Sequence, residues 1–489
     1  MDKTRIEVDS MGEVEVPSSA YYGAQTVRAI RNFSISGLPI SQLSQLINAL
    51  ALVKKAAVLA NAKLGDISDS KARVIAAACD DIAAGKLSAE FPIDVFQGGA
   101  GTSTNMNMNE VIANRALEHL GLPRGRYDVL HPNDDVNLSQ STNDVYPTAI
   151  RLAILLAHRS LDQELRLIAD EFDRKGTEFA SVVKLGRTQL QDAVPMTLGQ
   201  EFSAFGTTIR EDVARLEELV SLFKEVNLGG TAIGTGINTK SGYADIVVAE
   251  LSRLTQLPLI VANNLIEACW DTGAFVLFSG MLKRTATKLS KISNDLRLLS
   301  SGPRGGLAEI NLPALQPGSS IMPGKVNPVI PEVVNQVAFQ VIGADLTVTM
   351  AAEAGQLQLN VMEPVIAFSI LHSMALLANA ARVFREKCII GITANVERCR
   401  EHLEASTALV TALTPLIGYE RASEVAKATL KSGERIWKVL QTELHLPSEV
   451  IEQLRDPTTL TKPWKAQELR VSTGVSGDQL NDSASAQAT

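Results

Sequence analysis

The chain has 489 residues, 45% hydrophobic and 20% charged, enough apolar material for two to four domains or one extended helical body, which excludes a peptide hormone, a disulfide miniprotein or a disordered tail protein. Lys and Arg number 46 against 54 Asp and Glu, a net charge of −8, so no basic field is available for nucleic acid or anionic lipid and neither is expected as a partner. The four cysteines, Cys79, Cys269, Cys388 and Cys399, show no C-x-x-C spacing, which predicts reduced core thiols. No secretory h-region is legible at the amino terminus, and no later stretch reads as an apolar run long enough to cross a bilayer. A cytoplasmic location is expected.

In chain order, the first forty residues read as extended and turn-rich, broken by Gly12, Pro17, Gly23, Gly37 and Pro39. From Ile40 the pattern is helical. Between Tyr146 and Arg174, Ile150, Ile154, Leu155, Leu161, Leu165, Ile168 and Phe172 draw one stripe on a long helix, and Leu198, Phe202, Phe205, Ile209, Val213, Leu216, Val220 and Phe223 repeat the pattern between Thr197 and Val226. Pro331–Glu353 and Val361–Phe384 are apolar over most of their circumference, which predicts helices inside a bundle, here one shared between subunits. Strand-like alternation is scarce beyond the amino terminus. Past Gly391, shorter segments punctuated by Pro415, Gly418, Gly433, Pro447, Pro457 and Pro463 predict a small helical region, and 472–489 reads as a frayed tail. The fold class expected from these patterns is mainly α.

Four segments read as loops unusually rich in Gly, Ser, Thr and Asn: Gly98–Glu110, His131–Asp144, Gly186–Asp192 and Gln316–Pro328. The fourth is not a phosphate loop, because Gly318 and Gly324 enclose one residue too many and Val326 stands where Ser or Thr would hold Mg²⁺. Gly230–Gly236 departs from the dinucleotide fingerprint. The six histidines lack metal-ligand spacing, and His158 and His372 read as core or interface residues. Hydroxyls, amides, Gly N–H groups and one Lys instead suit a small polycarboxylate, with the helix predicted to start near Pro328 aiming its positive end at the loop.

The run Gly318-Ser319-Ser320-Ile321-Met322-Pro323-Gly324-Lys325-Val326-Asn327-Pro328 resembles the signature of the aspartase/fumarase superfamily. The resemblance extends over nearly the whole chain, through Ala20–Thr26, Thr104–Glu110, Ser141–Asp144, Gly186–Asp192 and Gly229–Gly236. It implies a mainly α, three-domain fold, with domains at 1–140, 141–395 and 396–471, and a long central helix bundle shared in a homotetramer. Active sites would be assembled from three subunits. Where fumarases carry Gly-Arg-Thr-His, this chain has Gln189, and Ser141-Thr142-Asn143 lacks their second Ser. Both features resemble the aspartate ammonia-lyase branch. Hydroxide leaves poorly and needs a proton, so an imidazole helps a hydratase; an α-ammonium departs as neutral ammonia and needs only to be oriented.

The implied reaction is anti-elimination of ammonia from L-aspartate to give fumarate through an aci-carboxylate. Ser319 would be the base, with Lys325 and loop N–H groups making its alkoxide available. By the same resemblance Thr102, Ser141, Thr142 and Ser320 would bind the β-carboxylate, Lys325, Asn327 and Thr188 the α-carboxylate, and Asn143 and Gln189 the ammonium. Thr102 and Ser141 read equally well as helix N-caps. Glu332 reads as a first-turn carboxylate of a helix, since its imidazole partner in fumarases is missing. His131–Asp134 resembles a secondary anion-binding turn, and Met362-Glu363-Pro364 a break that restarts a helix. No cofactor or metal site is expected for the chemistry; Mg²⁺ activation is not legible. A fumarate hydratase, a lyase for a substituted aspartate and a non-catalytic helical scaffold are the alternatives.

Overall fold

In the computed structural model, residues 3–443, 448, 451–452 and 455–463 are described, so the expected tail at 472–489 lies outside them. Strands β1 (Thr4–Asp9) and β2 (Gly12–Pro17) form an antiparallel hairpin, followed by α1 (Ala24–Asn32), α2 (Ser44–Lys63), α3 (Asp69–Ala83) and α4 (Thr102–His119). Then come α5 (Thr142–Glu178), the hairpin β3 (Val183–Thr188) and β4 (Gln191–Thr197), and α6 (Leu198–Val220). Next are β5 (Glu225–Val226), α7 (Tyr243–Thr255), β6 (Ile260–Val261), α8 (Gly273–Leu299) and β7 (Ile310–Asn311). Helices α9 (Val329–Glu353) and α10 (Glu363–Lys387) are followed by β8 (Thr393–Ala394), α11 (Val396–Ala405), α12 (Ala408–Ile417), α13 (Tyr419–Ser432), α14 (Ile436–Glu443) and α15 (Pro457–Thr461). The mainly α expectation holds; the two striped segments are α5 and α6, and the two that are apolar most of the way round are α9 and α10.

The chain forms two compact units. One takes Met1–Leu165, Glu211–Lys288 and Gln336–Ala380; the other takes Arg166–Arg210, Leu289–Asn335 and the chain from Ala381 onward. In the first, Phe223 packs on Phe275 and Phe278 with ring centroids 5.4 and 5.3 Å apart. In the second, Phe172 meets Phe202, Phe205 and Phe384 at 6.2, 5.6 and 6.3 Å, the aromatic part of the stripes read on α5 and α6. The carboxy-terminal helices bury Leu409, Leu413, Ile436 and Leu440 around Leu185 of β3.

Three sequence expectations need correction. Residues 102–110, read as loop, are the first half of α4, where Asn105, Asn107 and Asn109 are buried; an amide side chain mid-helix is tolerated when it finds partners across the core. The third Gly-rich segment is a β-hairpin, which its weak alternation did not reveal. Two helices, α9 and the stretch from α10 through Gly391, are long and apolar enough to span a bilayer by length and composition, because scattered polar side chains such as Asn335 and His372 do not bring the average down far enough. The most apolar stretch of the second is 61% buried within the chain, whereas that of α9 is only 33% buried.

The local chemistry that fixes the helix starts is explicit. Pro147 lies inside α5 and supplies no N–H; the carbonyl of Asn143, thereby deprived of its helical partner, accepts the Asn227 Nδ2–H at 3.0 Å. Ser141 Oγ accepts the Asn143 N–H at 3.3 Å, while Asp144 Oδ1 accepts the Ser141 N–H at 3.0 Å, an acidic version of the capping box. Behind this turn lies Lys54, which is 0% exposed. Its ammonium donates to Asn137 Oδ1 at 2.8 Å, an oxygen that also accepts from Asn105 and Asn109 at 3.2 and 3.1 Å. Asn105 in turn donates to Thr142 Oγ1 at 3.2 Å.

Burial drives the Lys54 ammonium down to about 7, against the opposing pull of the Asp144 charge. The penalty for housing it charged is full below that pH and fades as the pH rises towards the ordinary lysine value of 10.5, because over that interval the unfolded chain binds the proton and the native one does not. Lys54→Met should therefore gain most in thermal midpoint relative to the parent at pH 6, with the gap narrowing towards pH 10. Parallel melting curves at several pH values check this; a pH-independent gap would contradict it.

Candidate functional site

The residues singled out in the sequence fall into three structural settings. Thr102, Ser141, Thr142 and Asn143 stand at the starts of α4 and α5, in the first unit. Thr188 and Gln189 end the β3–β4 hairpin, and Ser319, Ser320, Lys325 and Asn327 occupy the loop before α9, both in the second unit.

At the first setting, Thr102 follows Gly101, whose φ is +86°. A Cβ there would also lie 2.5 Å from the Tyr146 ring, so glycine is required on both counts. Thr102 is the first helical residue rather than a cap, and its hydroxyl donates to the Gly99 carbonyl at 2.7 Å. Ser141, by contrast, does cap α5, so for this residue the bland reading is realised; its hydroxyl proton is not consumed by accepting the Asn143 N–H. Thr142 is held from behind by Asn105. Asn143 Nδ2 donates to the Ala232 carbonyl at 2.8 Å, which leaves Oδ1 as the atom suited to a donor ligand. Asp144, fully buried, accepts N–H groups of Gly229 and Thr231 at 2.9 and 3.0 Å. These bonds tie the Gly229–Gly236 motif to the start of α5.

At the second setting, Thr188 pairs with Gln191, so Gln189 and Leu190 form a two-residue turn with φ of +55° and +61°. Both positive values match the primed turns that hairpins favour, but neither residue is the Asn or Gly that adopts them easily. The strain falls on Gln189, the residue at which the sequence pattern is expected to depart from that of fumarases.

The third setting is a loop pinched at its base. The Gly318 N–H donates to the Lys325 carbonyl at 2.7 Å, and Asn327 Nδ2 donates to the Gly318 carbonyl at 2.9 Å. A Cβ on Gly318 would approach the Lys325 carbonyl to 2.7 Å. Inside the pinch, Ser319 Oγ accepts two backbone N–H groups, from Ile321 at 3.2 Å and Met322 at 3.1 Å. Donors aimed at a hydroxyl oxygen favour its ionised form. Ile321 and Met322 are exposed at 83% and 48%, leaving apolar surface uncovered beside the serine. Helix α9 starts at Val329, as the sequence predicts, with Glu332 in its first turn.

Sequence reasoning missed a buried cluster behind the hairpin. Glu309 is 0% exposed; its Oε1 lies 2.7 Å from Arg187 and 2.9 Å from His402 Nδ1, and its Oε2 lies 3.1 Å from Lys184. Burial acts to raise this carboxyl, but the Arg187 hydrogen bond together with Lys184 and His402 overcomes it and holds it below the usual glutamate value. Arg187 beside Thr188 was a visible signal, but its partner lies far away in sequence. The His131 turn folds on itself, with Nδ1 accepting the Asn133 and Asp134 N–H groups at 3.2 Å each. His372 stacks on Phe368 at 5.2 Å, and all four cysteines are buried free thiols, as expected. Among the described residues no three His, Cys, Asp or Glu converge as a metal site.

The lyase family model matches residues 12–343, and the fumarase C carboxy-terminal model matches 409–462. An aspartate ammonia-lyase of Pseudomonas canavaninivorans is 59% identical over 460 residues, 94% of this chain and 97% of that protein. A solved fumarate lyase:delta crystallin of Brucella melitensis, bound to cobalt, is 60% identical with a TM-score of 0.91, over 94% of this chain and 100% of that one. A class II fumarase of Schistosoma mansoni superposes with a TM-score of 0.88 at 37% identity, covering 94% of this chain and 100% of that one. With its helix-start hydroxyls, hairpin turn and signature loop in this order along a mainly α chain, the protein belongs to the aspartase/fumarase superfamily of lyases.

Proposed function

We propose that the chain is an aspartate ammonia-lyase, a carbon–nitrogen lyase that interconverts L-aspartate with fumarate and ammonia. The observation that carries the chemistry is the environment of Ser319, whose oxygen already receives two amide N–H groups on a loop carrying Lys325. The full-length likeness to an aspartate ammonia-lyase supports the same substrate.

In this reading the Ser319 alkoxide takes a proton from carbon 3, and the electron pair of that C–H bond moves into the β-carboxylate, giving the aci form. The pair then returns to make the carbon 2–carbon 3 double bond as the C–N bond breaks and neutral ammonia leaves. The serine keeps the proton until solvent removes it. The barrier is mainly electrostatic, since the β-carboxylate gains a second negative charge. Thr102, Ser141, Thr142 and Ser320 donate to it, the first three from helix starts where the backbone dipole adds to the field. Lys325, Asn327 and Thr188 hold the α-carboxylate. Asn143 Oδ1 and the Gln189 amide orient the ammonium without offering a proton that a hydroxide would require. Charge development is met by fixed donors throughout, so the chemistry calls for no cofactor.

A homotetramer with each site drawn from three subunits accounts for two further features. Phe339, Ile342, Leu346 and Met350 on α9 are 63%, 37%, 61% and 65% exposed in the single chain, an apolar stripe at helical spacing that fits another helix. The hairpin tip and the Ser319 loop are exposed as well. Boundaries at 140/141 and 395/396 coincide with the starts of α5 and α11 and suit a three-domain subunit. A cytoplasmic location is consistent with four reduced thiols.

Purified protein should generate fumarate absorbance from L-aspartate and none from L-malate; the opposite preference would replace this reading with a hydratase. Ser319→Ala should lower kcat by on the order of 10³ with unchanged helical circular dichroism, and near-parental turnover would remove Ser319 as base. Gln189→His should lower deamination by about 10- to 100-fold; unchanged deamination would show that the position does not govern the leaving group.

A further inference from the structure

Arg187 lies in the Gly186–Asp192 motif, yet the reaction leaves it without a task. It does not enter the turn but reaches back to Glu309. Lys184 and Arg187 are three residues apart and would face opposite sides of a regular strand. Between Leu185 and Arg187, however, the register of β3 on β4 slips, so that Ala193 and Val194 stand opposite Gly186 alone. Such a bulge sharpens the local twist, and here both cations reach one carboxylate. Gly186 permits it: a Cβ there would come within 2.7 Å of the Val194 carbonyl.

Glu309 is itself anchored on both sides. Its carbonyl accepts the Asn395 N–H at 2.8 Å and β7 begins at the next residue, pairing with β8 immediately before α11. His402 of α11 supplies the imidazole, and Lys184 is shared with Glu201 at 2.7 Å. Downstream, the chain from β7 leads directly into the Ser319 loop. One buried carboxylate thus grips the strand that ends in Thr188 and Gln189, the helix α11, and the segment that delivers Ser319.

We propose that Glu309 is a positioning residue of the lyase reaction: through Arg187 and Lys184 it holds the hairpin turn so that Gln189, at its strained φ, presents its amide to the departing amine. The inference rests on the functional reading above. The turn is exposed and strained, and among the described residues nothing on its outer side fixes it, so its register depends on the cluster behind it. Arg187 is the immediate neighbour of Thr188, so a shift of its guanidinium is passed to the turn without an intervening hinge.

The experiment uses the full chain. Parental protein must first convert L-aspartate to fumarate; an inert parent overturns the functional reading and says so independently. Glu309→Gln keeps the shape and removes the charge. It should retain the helical circular dichroism, lose about 10- to 100-fold in kcat, and in the amination direction raise KM for ammonium more than KM for fumarate, because most fumarate donors stand on other elements. A double-mutant cycle with Gln189→Ala separates positioning from mere support: the double variant should lose less than the product of the two single losses, since a misplaced turn has little left to lose at position 189. Arg187→Lys, which keeps the charge but not the reach, should show the same pattern more weakly and carries the test should Glu309→Gln fail to fold. Parental kinetics in a folded variant, or fully multiplicative losses in the cycle, would overturn the proposal.

Discussion

Asp144 is buried beneath the start of α5, and its carboxylate is held by the N–H groups of Ser141, Gly229 and Thr231. An anion removed from water survives only where donors are fixed to receive it, and the same device recurs at two other turns of the first unit. Glu110 accepts the N–H groups of Gly23, Gln25 and Thr26 and the Thr26 hydroxyl, so it closes the start of α1, and burial pushes it up to about 7. Asp94 accepts those of Ser36, Gly37 and Phe96. Each carboxylate stops a loop from having more than one conformation. Ser319 repeats the arrangement with an alcohol in place of the acid: two N–H groups converge on an oxygen that bears no charge in the resting chain. The fold supplies to the proposed base the kind of socket that it elsewhere uses for anions.

This constraint also explains which parts of the site were legible in the sequence. The long helices announced themselves by apolar spacing, because burial of one face is a local property of the chain. The Ser319 loop was legible because a pinch of this kind needs Gly318 and Asn327 at fixed offsets along one short segment. Glu309 was not legible: a carboxylate after a Gly-rich turn reads as surface until Lys184, Arg187 and His402 arrive from two other segments to enclose it. Lys54 was hidden for the same reason, since it sits in an Ala-rich helix beside exposed-looking Lys55, and only the contact with Asn137 shows which lysine faces inward. The hairpin was missed because its turn is Gln-Leu, a pair that local turn preferences argue against.

In the proposed reaction, the positions of the binding groups match the rigidity that each task needs. Donors for the β-carboxylate must already be in place when its second charge appears, since reorganisation at that moment would be paid in the barrier. They therefore stand on α4 and α5, whose ends are locked by Asn105, Asn137 and Asp144. The base has the opposite need. An alkoxide is costly in water; the Ser319 loop is exposed in the single chain, and its Ile321 and Met322 offer apolar surface that would exclude solvent once substrate fills the site.

In the proposed reaction the leaving group is handled from neither of these elements, and that separation has a chemical consequence. Because Gln189 stands on a turn held from behind by Arg187 and Glu309, its side chain can be exchanged without moving the helix-start donors that create the aci-carboxylate. The first half of the reaction, loss of the carbon 3 proton, makes the same demand whatever leaves from carbon 2. Only the second half distinguishes an amine from a hydroxyl, and it is confined to residues whose backbone is fixed by contacts independent of the side chain at 189. A change from amide to imidazole at that point would alter the orientation of the leaving group and its proton supply, and not the loss of the carbon 3 proton. Leaving-group preference is therefore separable from carbanion stabilisation in this architecture, and the buried carboxylate behind the hairpin is what makes it so.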